Sequence, residues 1–174
     1  MYLAAIEDGE YKQEKLDFWD NVYGFDMRAI KKIAVREPLV DVVDQRAVVT
    51  DACAFKSLDL NTVTKADLDF SSEFRIKATG NDYVHAFIAY FDITFSACHK
   101  PVYFSTGPQV KYTHWKQTVF YIDDTLTVKN KEVIKGKITC KPNQKNPRDL
   151  DISISYTFQG ELSNSQGSYE FHMC

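Results

Sequence analysis

The stretch Asp151-Ile152-Ser153-Ile154-Ser155-Tyr156-Thr157-Phe158 alternates polar and apolar side chains without a break. Successive residues of a β-strand point to opposite faces of a sheet, so this period of two places four apolar side chains on one face. The four polar side chains then share the other face. The segment is therefore predicted to be a strand with one face in a core and the other in solvent.

Strand-like segments make up most of the chain after Pro38. Tyr83–Phe95 is apolar on both faces, which predicts a central strand. The other predicted strands are 39–43, 47–60, 68–79, 102–105, 115–122, 126–128, 132–140 and 169–173. Gly80-Asn81-Asp82 and Asp123-Asp124 are typical of turns. These closely spaced strands predict a mainly β, antiparallel domain, either a sandwich or barrel-like. Because they do not alternate with helices, a doubly wound nucleotide-binding fold is excluded.

Residues 8–35 differ from the rest because their apolar positions recur at helical spacing. Tyr11–Tyr23 fits one helix, which Gly24 ends. Asp26 is a candidate N-cap for a second short helix. The apolar face of that helix carries Met27, Ile30, Ile33 and Ala34. Helix is disfavoured directly before Pro38, so the segment ends there. A short two-helix arm is therefore predicted within residues 10–35, inserted near the N-terminus of the β domain.

The predicted arm is rich in aromatic side chains. Within residues 11–25 these are Tyr11, Phe18, Trp19, Tyr23 and Phe25, well above the share expected at the chain average of 14%. Two short helices cannot bury five large rings against each other, so the rings must meet the β domain or another surface. Aromatic residues are enriched among the anchors of protein interfaces. The pattern leaves both core packing and an interface open.

Composition limits the class of protein. The chain has 174 residues, of which 44% are apolar and 26% charged, as in a globular protein. A single domain over residues 1–174 is predicted. The formal net charge of −3 disfavours a general nucleic-acid binder. No apolar run approaches the roughly 20 residues that cross a bilayer, and no signal-peptide pattern is visible. We therefore predict no membrane partner.

The four cysteines are Cys53, Cys98, Cys140 and Cys174. They are far apart and lack the spacing of zinc ligands, so no metal site is predicted. Disulfide-rich scaffolds have a higher density of cysteine than this chain. The pattern indicates an intracellular, reducing compartment.

The chain lacks the common nucleotide and hydrolase motifs. It contains no G-x-G-x-x-G, no P-loop and no G-x-S-x-G. His85 lies in an apolar strand and is predicted to be a hydrogen-bonded core histidine. His114 differs because Thr113 and Trp115 flank it just after a Gly-Pro loop. A hydroxyl, a titratable ring and a flat aromatic face at one strand end suit a cation. A packed Trp beside a polar neighbour is the alternative.

Residues 129–148 hold seven basic side chains and one acidic one. A phosphate-binding patch is one interpretation, but no aromatic residue interleaves the basic ones. The segment overlaps predicted hairpin turns. That overlap favours a solvated strand edge whose lysines prevent edge-to-edge aggregation. No nucleic-acid partner is therefore predicted.

Several longer segments of the sequence resemble protein arginine methyltransferases, most closely the type I class that makes asymmetric dimethylarginine. They are Glu14-Lys15-Leu16-Asp17-Phe18-Trp19, Asn21-Val22-Tyr23-Gly24-Phe25-Asp26-Met27, Glu37-Pro38-Leu39-Val40-Asp41, Tyr112-Thr113-His114-Trp115-Lys116-Gln117 and Asn146-Pro147-Arg148-Asp149-Leu150-Asp151. The matches occur in order over nearly the whole chain. The resemblance implies the barrel-like C-terminal half of such an enzyme, without its cofactor-binding domain.

The resemblance also implies roles for two regions. Residues 10–35 would be an arm that docks on the cofactor domain of a second subunit and so forms a homodimer. Its docking residues would be Tyr11, Phe18, Trp19, Tyr23, Phe25 and Met27. Thr113, His114 and Trp115 would belong to a loop that lines the pocket of the target arginine. There His114 would pair with a carboxylate of the absent domain, and Trp115 would shape the wall around the guanidinium.

The enzyme implied by the resemblance transfers a methyl group from S-adenosylmethionine to a guanidine nitrogen of arginine-containing proteins, histones among them, in the cytoplasm and nucleus. The family's cofactor-binding glycines and paired catalytic glutamates have no counterpart in this sequence. We therefore expect this chain alone to bind no cofactor and to be inactive. A stand-alone β-sandwich interaction module without a catalytic role is the alternative function.

Residues 1–6 have strand character with no cap or turn before them. An N-terminal edge strand is one interpretation. The start of a domain within a longer protein is the other, and the resemblance to a C-terminal half favours it.

Overall fold

A computed structural model describes residues 1–174 as two short helices and eleven strands. The helices are α1 (Gly9–Asp17) and α2 (Arg28–Ala34). The strands are β1 (Tyr2–Ile6), β2 (Leu39–Asp41), β3 (Cys53–Ala54), β4 (Phe70–Lys77), β5 (Asp82–Tyr90), β6 (Asp92–Phe95), β7 (Val102–Ser105), β8 (Gln117–Val128), β9 (Val133–Pro142), β10 (Leu150–Gln159) and β11 (Asn164–Met173). The prediction of a mainly β domain with a two-helix insertion near its N-terminus is confirmed. Neither helix has the length and apolar character needed to cross a membrane.

The strands form three antiparallel sheets. The five-stranded sheet has the order β2-β8-β5-β1-β3, and the four-stranded sheet has the order β11-β10-β9-β4. Strands β6 and β7 form a separate two-stranded ribbon. The two large sheets share no hydrogen-bonded strand pair, so they do not close into a barrel. Of the two predicted architectures, the domain is therefore the sandwich.

The main core lies between the two large sheets. The alternation in β10 is confirmed, because Ile152, Ile154, Tyr156 and Phe158 are each at most 6% exposed. From the opposite sheet, Phe87 meets Tyr156 edge-on with ring centroids 5.6 Å apart. Fully burying a large apolar side chain contributes roughly 1.5–3 kcal/mol. The 20 buried residues of this core therefore hold the two sheets together.

A second apolar cluster covers the other face of the five-stranded sheet. Its eight buried members are Ala4, Ile6, Val35, Val43, Ala86, Ile88, Val119 and Tyr121. Val35 comes from the end of the arm, and the others come from the sheet or the segment after β2. Strand β5 is thus buried on both faces, as its sequence predicted. The base of the arm is packed on the sandwich, and this cluster fixes its position.

Two segments that were each predicted as one continuous strand are interrupted in the structure. Tyr83–Phe95 divides at Phe91 into β5 and β6, which lie in different sheets. The segment 47–60 was predicted as extended, but it pairs only at β3 and at isolated bridges. In that segment Asp51 accepts the backbone N–H of Lys77 with its carboxylate, at 2.6 Å. The backbone N–H of Asp51 also donates to the carbonyl of Lys77 at 2.8 Å, so the segment meets only the end of β4.

The Asp123-Asp124 pair is not a turn, which corrects the sequence prediction. Strand β8 continues through both residues. Its register with β5 shifts between Val84 and Ala86, so the extra residues of β8 bulge opposite His85. A β-bulge accommodates polar residues within a strand by bending it away from regular pairing.

Two strands predicted at sheet edges are interior. Strand β1 lies between β5 and β3, so the edge-strand interpretation of residues 1–6 is wrong. Strand β9 lies between β10 and β4, so its lysines do not protect a sheet edge. The reason is a pairing between β4 and β9 along the whole length of β4, which joins distant parts of the chain. No local sequence pattern reveals such a pairing.

Candidate functional site

The arm bends at a tight turn between its two helices. Helix α1 ends at Asp17, earlier than the predicted Tyr23, and a single 3-10 turn over Phe18–Asp20 extends it. Val22 and Phe25 then exchange backbone hydrogen bonds of 2.9 and 3.0 Å across Tyr23-Gly24. Both central residues have positive φ, 53° for Tyr23 and 91° for Gly24. Such values favour glycine, and the paired backbone holds Tyr23 there with its side chain in solvent.

The rings at the tip of the arm are exposed. Phe18, Tyr23 and Phe25 are 56, 95 and 72% exposed. Trp19 is half-buried and meets the ring of Phe18 edge-on, with centroids 5.2 Å apart. Half-buried Met27 donates its backbone N–H to the carbonyl of Trp19 at 3.1 Å. Clusters of exposed apolar side chains mark interaction sites in soluble proteins. Core packing within this chain therefore does not account for the rings at the tip.

Helix α2 differs from its predicted form at both ends. Met27 occupies the N-cap position, but the carboxylate of Asp26 still accepts the backbone N–H of Arg28 at 3.1 Å. At the other end, Ala34 is buried while Ile33 is 68% exposed. The predicted apolar face of α2 is therefore split between the sandwich and solvent. The helix is too short for one continuous face to reach the sheet along its whole length.

Charged side chains tie the two halves of the arm together. The ammonium of Lys31 in α2 lies 2.8 Å from a carboxylate oxygen of Asp20 and 3.2 Å from one of Asp17. Exposed ion pairs stabilise a fold by about 1 kcal/mol or less. Two carboxylates on one ammonium nevertheless set the spacing of the helices, so the tip presents its rings in a defined arrangement.

We call the residues at the two ends of the arm, Asp8, Tyr11, Lys12 and Arg36, its root. Tyrosines anchor this root on the outer face of the five-stranded sheet. Tyr11 stacks on Tyr121 with ring centroids 6.4 Å apart. The Tyr121 hydroxyl donates to the Asp8 carboxylate at 2.6 Å. Burial, together with that carboxylate, raises the pKa of Tyr121, so the hydroxyl keeps its proton. Tyr11 therefore contacts this chain's own sheet, unlike the exposed rings at the tip.

Lys12 of the arm and Arg36, which directly follows the arm, converge on Asp123 in the bulge of β8. The Lys12 ammonium donates to the Asp123 carbonyl at 2.9 Å, and the Arg36 guanidinium donates to its carboxylate at 2.8 Å. The Arg36 guanidinium also lies over the ring of Tyr169, 4.4 Å from its centroid. Burial lowers the pKa of Lys12. The bulge thus supplies both acceptors that hold the root, which explains why a sequence typical of a turn lies inside a strand.

His85 faces the first residues of the arm. Its Nδ1 accepts the backbone N–H of Asp8 at 3.2 Å and lies 3.5 Å from a carboxylate oxygen of Glu7. Desolvation lowers the pKa of His85, against the opposing effect of Glu7. The prediction that His85 is hydrogen-bonded is confirmed, but the residue is half-buried and lies outside the core. Because an accepting Nδ1 carries no proton, the contact with Asp8 requires the neutral ring.

Acid should therefore loosen the root of the arm. The folded-state pKa of His85 lies below its unfolded value of about 6.5, so the folded chain binds fewer protons in this window. The contribution of His85 to stability is complete above about pH 6.5 and is lost as the pH falls towards the folded-state pKa. Thermal melts between about pH 7.5 and 5 should show Tm falling in wild type and a flatter profile for His85→Gln. Equal slopes for the two proteins would contradict this assignment.

The second candidate region is the loop over residues 107–116, between β7 and β8. Its two ends meet where Gln117 donates to the carbonyl of Thr106 at 2.6 Å and accepts the N–H of Val43 at 2.7 Å. The Thr106 hydroxyl and N–H in turn bond to the backbone of Phe91 at 2.9–3.0 Å. Gln117 and Thr106 are almost fully buried. Buried polar groups that are fully bonded are rigid, so the base of the loop is fixed.

Thr113, His114 and Trp115 lie near the end of this loop, just before β8. The carbonyl of Thr113 accepts the N–H of Lys116 at 3.2 Å, and its hydroxyl accepts the N–H of Trp115 at 3.3 Å. The ammonium of Lys116 lies 2.9 Å from the carboxylate of Asp41 in β2 and lowers the pKa of that carboxyl. This end of the loop is thus bonded to β2, the strand that follows the arm.

Trp115 lies on an aromatic floor and still presents much of its ring to solvent. It stacks on Phe104 with centroids 5.8 Å apart and meets Phe91 edge-on at 6.2 Å. It remains 56% exposed. The exposed ring of His114 stands edge-on beside it, with centroids 6.5 Å apart. A supported aromatic face next to an exposed imidazole can receive a planar cation such as a guanidinium.

Sequence reasoning did not identify the residues that support this loop. Phe91 was placed inside one long strand, and Phe104 in a short one. The only signal was Gln117, whose polar side chain begins a strand of mostly apolar residues. No three His, Cys, Asp or Glu side chains are positioned together to hold a metal ion.

Sequence comparison gives a family for the whole arrangement. A family profile described as the arginine methyltransferase oligomerization subdomain matches residues 1–161. Proteins named protein arginine N-methyltransferase 1 are 60% identical in Schizosaccharomyces pombe, 50% in Dictyostelium discoideum and 52% in Caenorhabditis elegans, each over 99% of this chain. The chain spans 52, 51 and 50% of the lengths of these three relatives.

Solved structures share the fold. The Trypanosoma brucei PRMT1 enzyme–prozyme heterotetrameric complex with AdoHcy matches 99% of this chain and 55% of its own with a TM-score of 0.94 and 40% identity. Arabidopsis thaliana protein arginine methyltransferase 10 matches 99% of this chain and 58% of its own, with a TM-score of 0.78 at 15% identity. The second match supports the fold alone. Both cover the sandwich together with its inserted arm.

Proposed function

This chain belongs to the protein arginine methyltransferase family, and we propose that it is the dimerising and substrate-facing half of an S-adenosylmethionine-dependent protein arginine N-methyltransferase. Relatives at 50–60% identity carry that enzyme's name, and the chain spans about half their length. This favours an enzyme half over a stand-alone interaction module. The substrates we propose are arginine-containing proteins, and residues 1–174 act as one domain.

The contrast between the root and the tip of the arm carries the proposal. The root is held by the Tyr121–Asp8 hydrogen bond and by Lys12 and Arg36 on Asp123. At the tip, the rings of Tyr23 and Phe25 are exposed and do not pack against the sandwich. An element whose base is fixed and whose free end exposes apolar side chains is suited to bind another protein surface. The partner we propose is the cofactor domain of a second subunit, in a homodimer.

The loop of Thr113, His114 and Trp115 is proposed to line the pocket of the target arginine. The exposed face of Trp115 would stack against the guanidinium, with Phe104 supporting the ring from behind. The imidazole of His114 projects beside that ring and would pair with a carboxylate supplied from outside this chain. Thr113 would act through the backbone, since its hydroxyl accepts the N–H of Trp115. These residues bind and orient the substrate.

The residues of this chain do not fit a site for S-adenosylmethionine. Every strand pairing is antiparallel, so no glycine-rich turn follows a parallel strand. Two concavities of about 590 and 530 Å³ are lined by Cys53 of β3 and by residues of β4, β9, β10 and β11, with mostly polar side chains. Binding of the cofactor and transfer of the methyl group are therefore proposed for the rest of the protein.

This chain alone should not bind the cofactor or methylate. Calorimetric titration of the 174-residue chain with S-adenosylmethionine should give no binding heat, because it offers no cradle for the nucleoside. The full-length enzyme serves as the control and should bind. An affinity in the micromolar range for the isolated chain would overturn this half of the proposal.

We further propose that the enzyme works in the cytoplasm and nucleus, with histones among its substrates. All four cysteines are free thiols in the structure, which is consistent with a reducing compartment. Neither a membrane nor a nucleic acid is a proposed partner of this half. Microscopy of a fluorescent fusion in living cells tests the compartment, and a purely secreted signal would contradict it.

A further inference from the structure

Four cations share the outer face of strands β4 and β9. They are Arg75 and Lys77 on β4 and Lys135 and Lys137 on β9, all exposed. No acidic side chain lies within ion-pair distance of any of them. Arg75 is directly opposite Lys135 in the register of the two strands. We call these four side chains the basic face.

The Arg75–Lys135 pair in this arrangement has no structural explanation, whereas Lys137 has Glu73 opposite it. Like charges directly opposite on neighbouring strands destabilise a sheet. Protection of a sheet edge accounts for Arg75 and Lys77 on the outer strand β4, but it does not account for Lys135 and Lys137, because β9 is an interior strand. Residues that break a local rule of stability without a structural gain are expected at functional sites.

The basic face borders a concavity on the four-stranded sheet. Its volume is about 590 Å³, and the charged side chains in its lining are Arg75, Lys135 and Lys137 together with one carboxylate, Glu73. The neighbouring strand β10 adds two hydroxyls, because Ser155 is opposite Lys137 and Thr157 is opposite Lys135. Ammonium, guanidinium and hydroxyl groups are all hydrogen-bond donors, so the surface is suited to a ligand that presents several anionic acceptors.

The spacing of the cations indicates the form of that ligand. Alternate residues of a strand lie on one face and are separated by about 6.6–6.8 Å. An extended polypeptide that runs along the groove has the same repeat. We propose that the basic face binds an extended acidic polypeptide segment with carboxylates at alternate residues. This binding goes beyond the methyltransferase function and does not depend on it.

A nucleic acid fits this face less well. Base stacking needs aromatic side chains, and none lines the concavity from the outer side of the strands. Four cations also release few counterions, which limits affinity for a polyanion. The arginine-containing substrates of the proposed enzyme are cationic and would be repelled from this face.

Fluorescence anisotropy with the full chain tests the proposal. The probe is a labelled decapeptide of alternating Glu and Ser, compared with one of alternating Lys and Ser and with a labelled oligouridylate. The Glu peptide should bind at low salt and the Lys peptide should not. Lys135→Glu with Lys137→Glu should weaken binding about tenfold or more, because charge complementarity is reversed. Lys32→Glu with Lys100→Glu makes the same change in net charge at exposed sites elsewhere and should leave affinity within about twofold.

A single substitution separates binding from folding. Arg75→Glu places opposite charges across from each other, so it should raise Tm by about 1–3 °C while it weakens binding of the Glu peptide. A fall in Tm would show that Arg75 has a structural role and would overturn the proposal. So would failure of wild type to bind the peptide, an equal loss in the control variant, or tighter binding of the oligouridylate than of the peptide.

Discussion

Replacing His114 or Trp115 by alanine in the full-length enzyme should lower kcat for an arginine-containing peptide by about a hundredfold or more. Each side chain projects from a loop whose base is fixed by Gln117 and Thr106, so each would hold the guanidinium in a set position. Both side chains are exposed, and their removal leaves no buried cavity. Tm should therefore change by no more than a few degrees. Steady-state kinetics alongside thermal melts make the measurement.

The same loop supplies a control for this prediction. Lys111 is exposed and forms no hydrogen bond or ion pair, so Lys111→Ala should leave the kinetics unchanged. Trp115→Phe keeps a flat aromatic face over Phe104 and should recover part of the activity lost in Trp115→Ala. Wild-type kinetics in both alanine variants would show that the loop does not line the pocket of the target arginine. Loss of activity together with unfolding would show that the loop is structural.

Tyr23→Ser with Phe25→Ser should weaken dimerisation of the full-length enzyme by about a hundredfold or more, since interface anchors of this type contribute about 2 kcal/mol or more each. Both rings are largely exposed in this chain, so the substitution removes little internal packing. Tm of the isolated chain should change little. Sedimentation equilibrium over a range of concentrations gives the dissociation constants.

Equally exposed apolar residues away from the arm provide the matched control. Leu60 and Leu162 are 75 and 59% exposed, so Leu60→Ser with Leu162→Ser removes a comparable apolar surface. This control should dimerise like wild type. An equal loss in both variants would attribute the effect to surface hydrophobicity in general. An unchanged dimer in the tip variant would show that the docking surface lies elsewhere.

The architecture of the sandwich follows from local patterns wherever one face of a strand is buried. The alternation over Asp151–Phe158 predicts both the strand and its inward face, and both are confirmed by the burial of β10. The presence of the arm was likewise predictable from the change of period after residue 8, although its first helix ends at Asp17 and not at the predicted Tyr23. In these segments the local preference of the chain and its packing agree.

Other features depend on contacts between distant residues, which local patterns do not contain. The pairing of β4 with β9 makes an apparently exposed edge an interior strand. At the bulge of β8, Asp123 binds Lys12 of the arm and Arg36 directly after it, both distant in sequence. In the same way, nothing in the local sequence of Trp115 indicates that Phe91 and Phe104 form its floor. The sequence motif around His114 predicts the loop, but it does not predict the residues that support the loop.

The position of Tyr23 in the assembled enzyme tests the central claim most directly. Tyr23→p-benzoylphenylalanine in the full-length protein places a photoreactive group at the most exposed point of the arm, and Leu60→p-benzoylphenylalanine is the control. Illumination should give a covalent dimer only from the Tyr23 variant. Mass spectrometry should locate the adduct outside the segment that corresponds to residues 1–174, in the second subunit. No adduct between subunits, or one that forms equally from position 60, would contradict the role of the arm as the docking element.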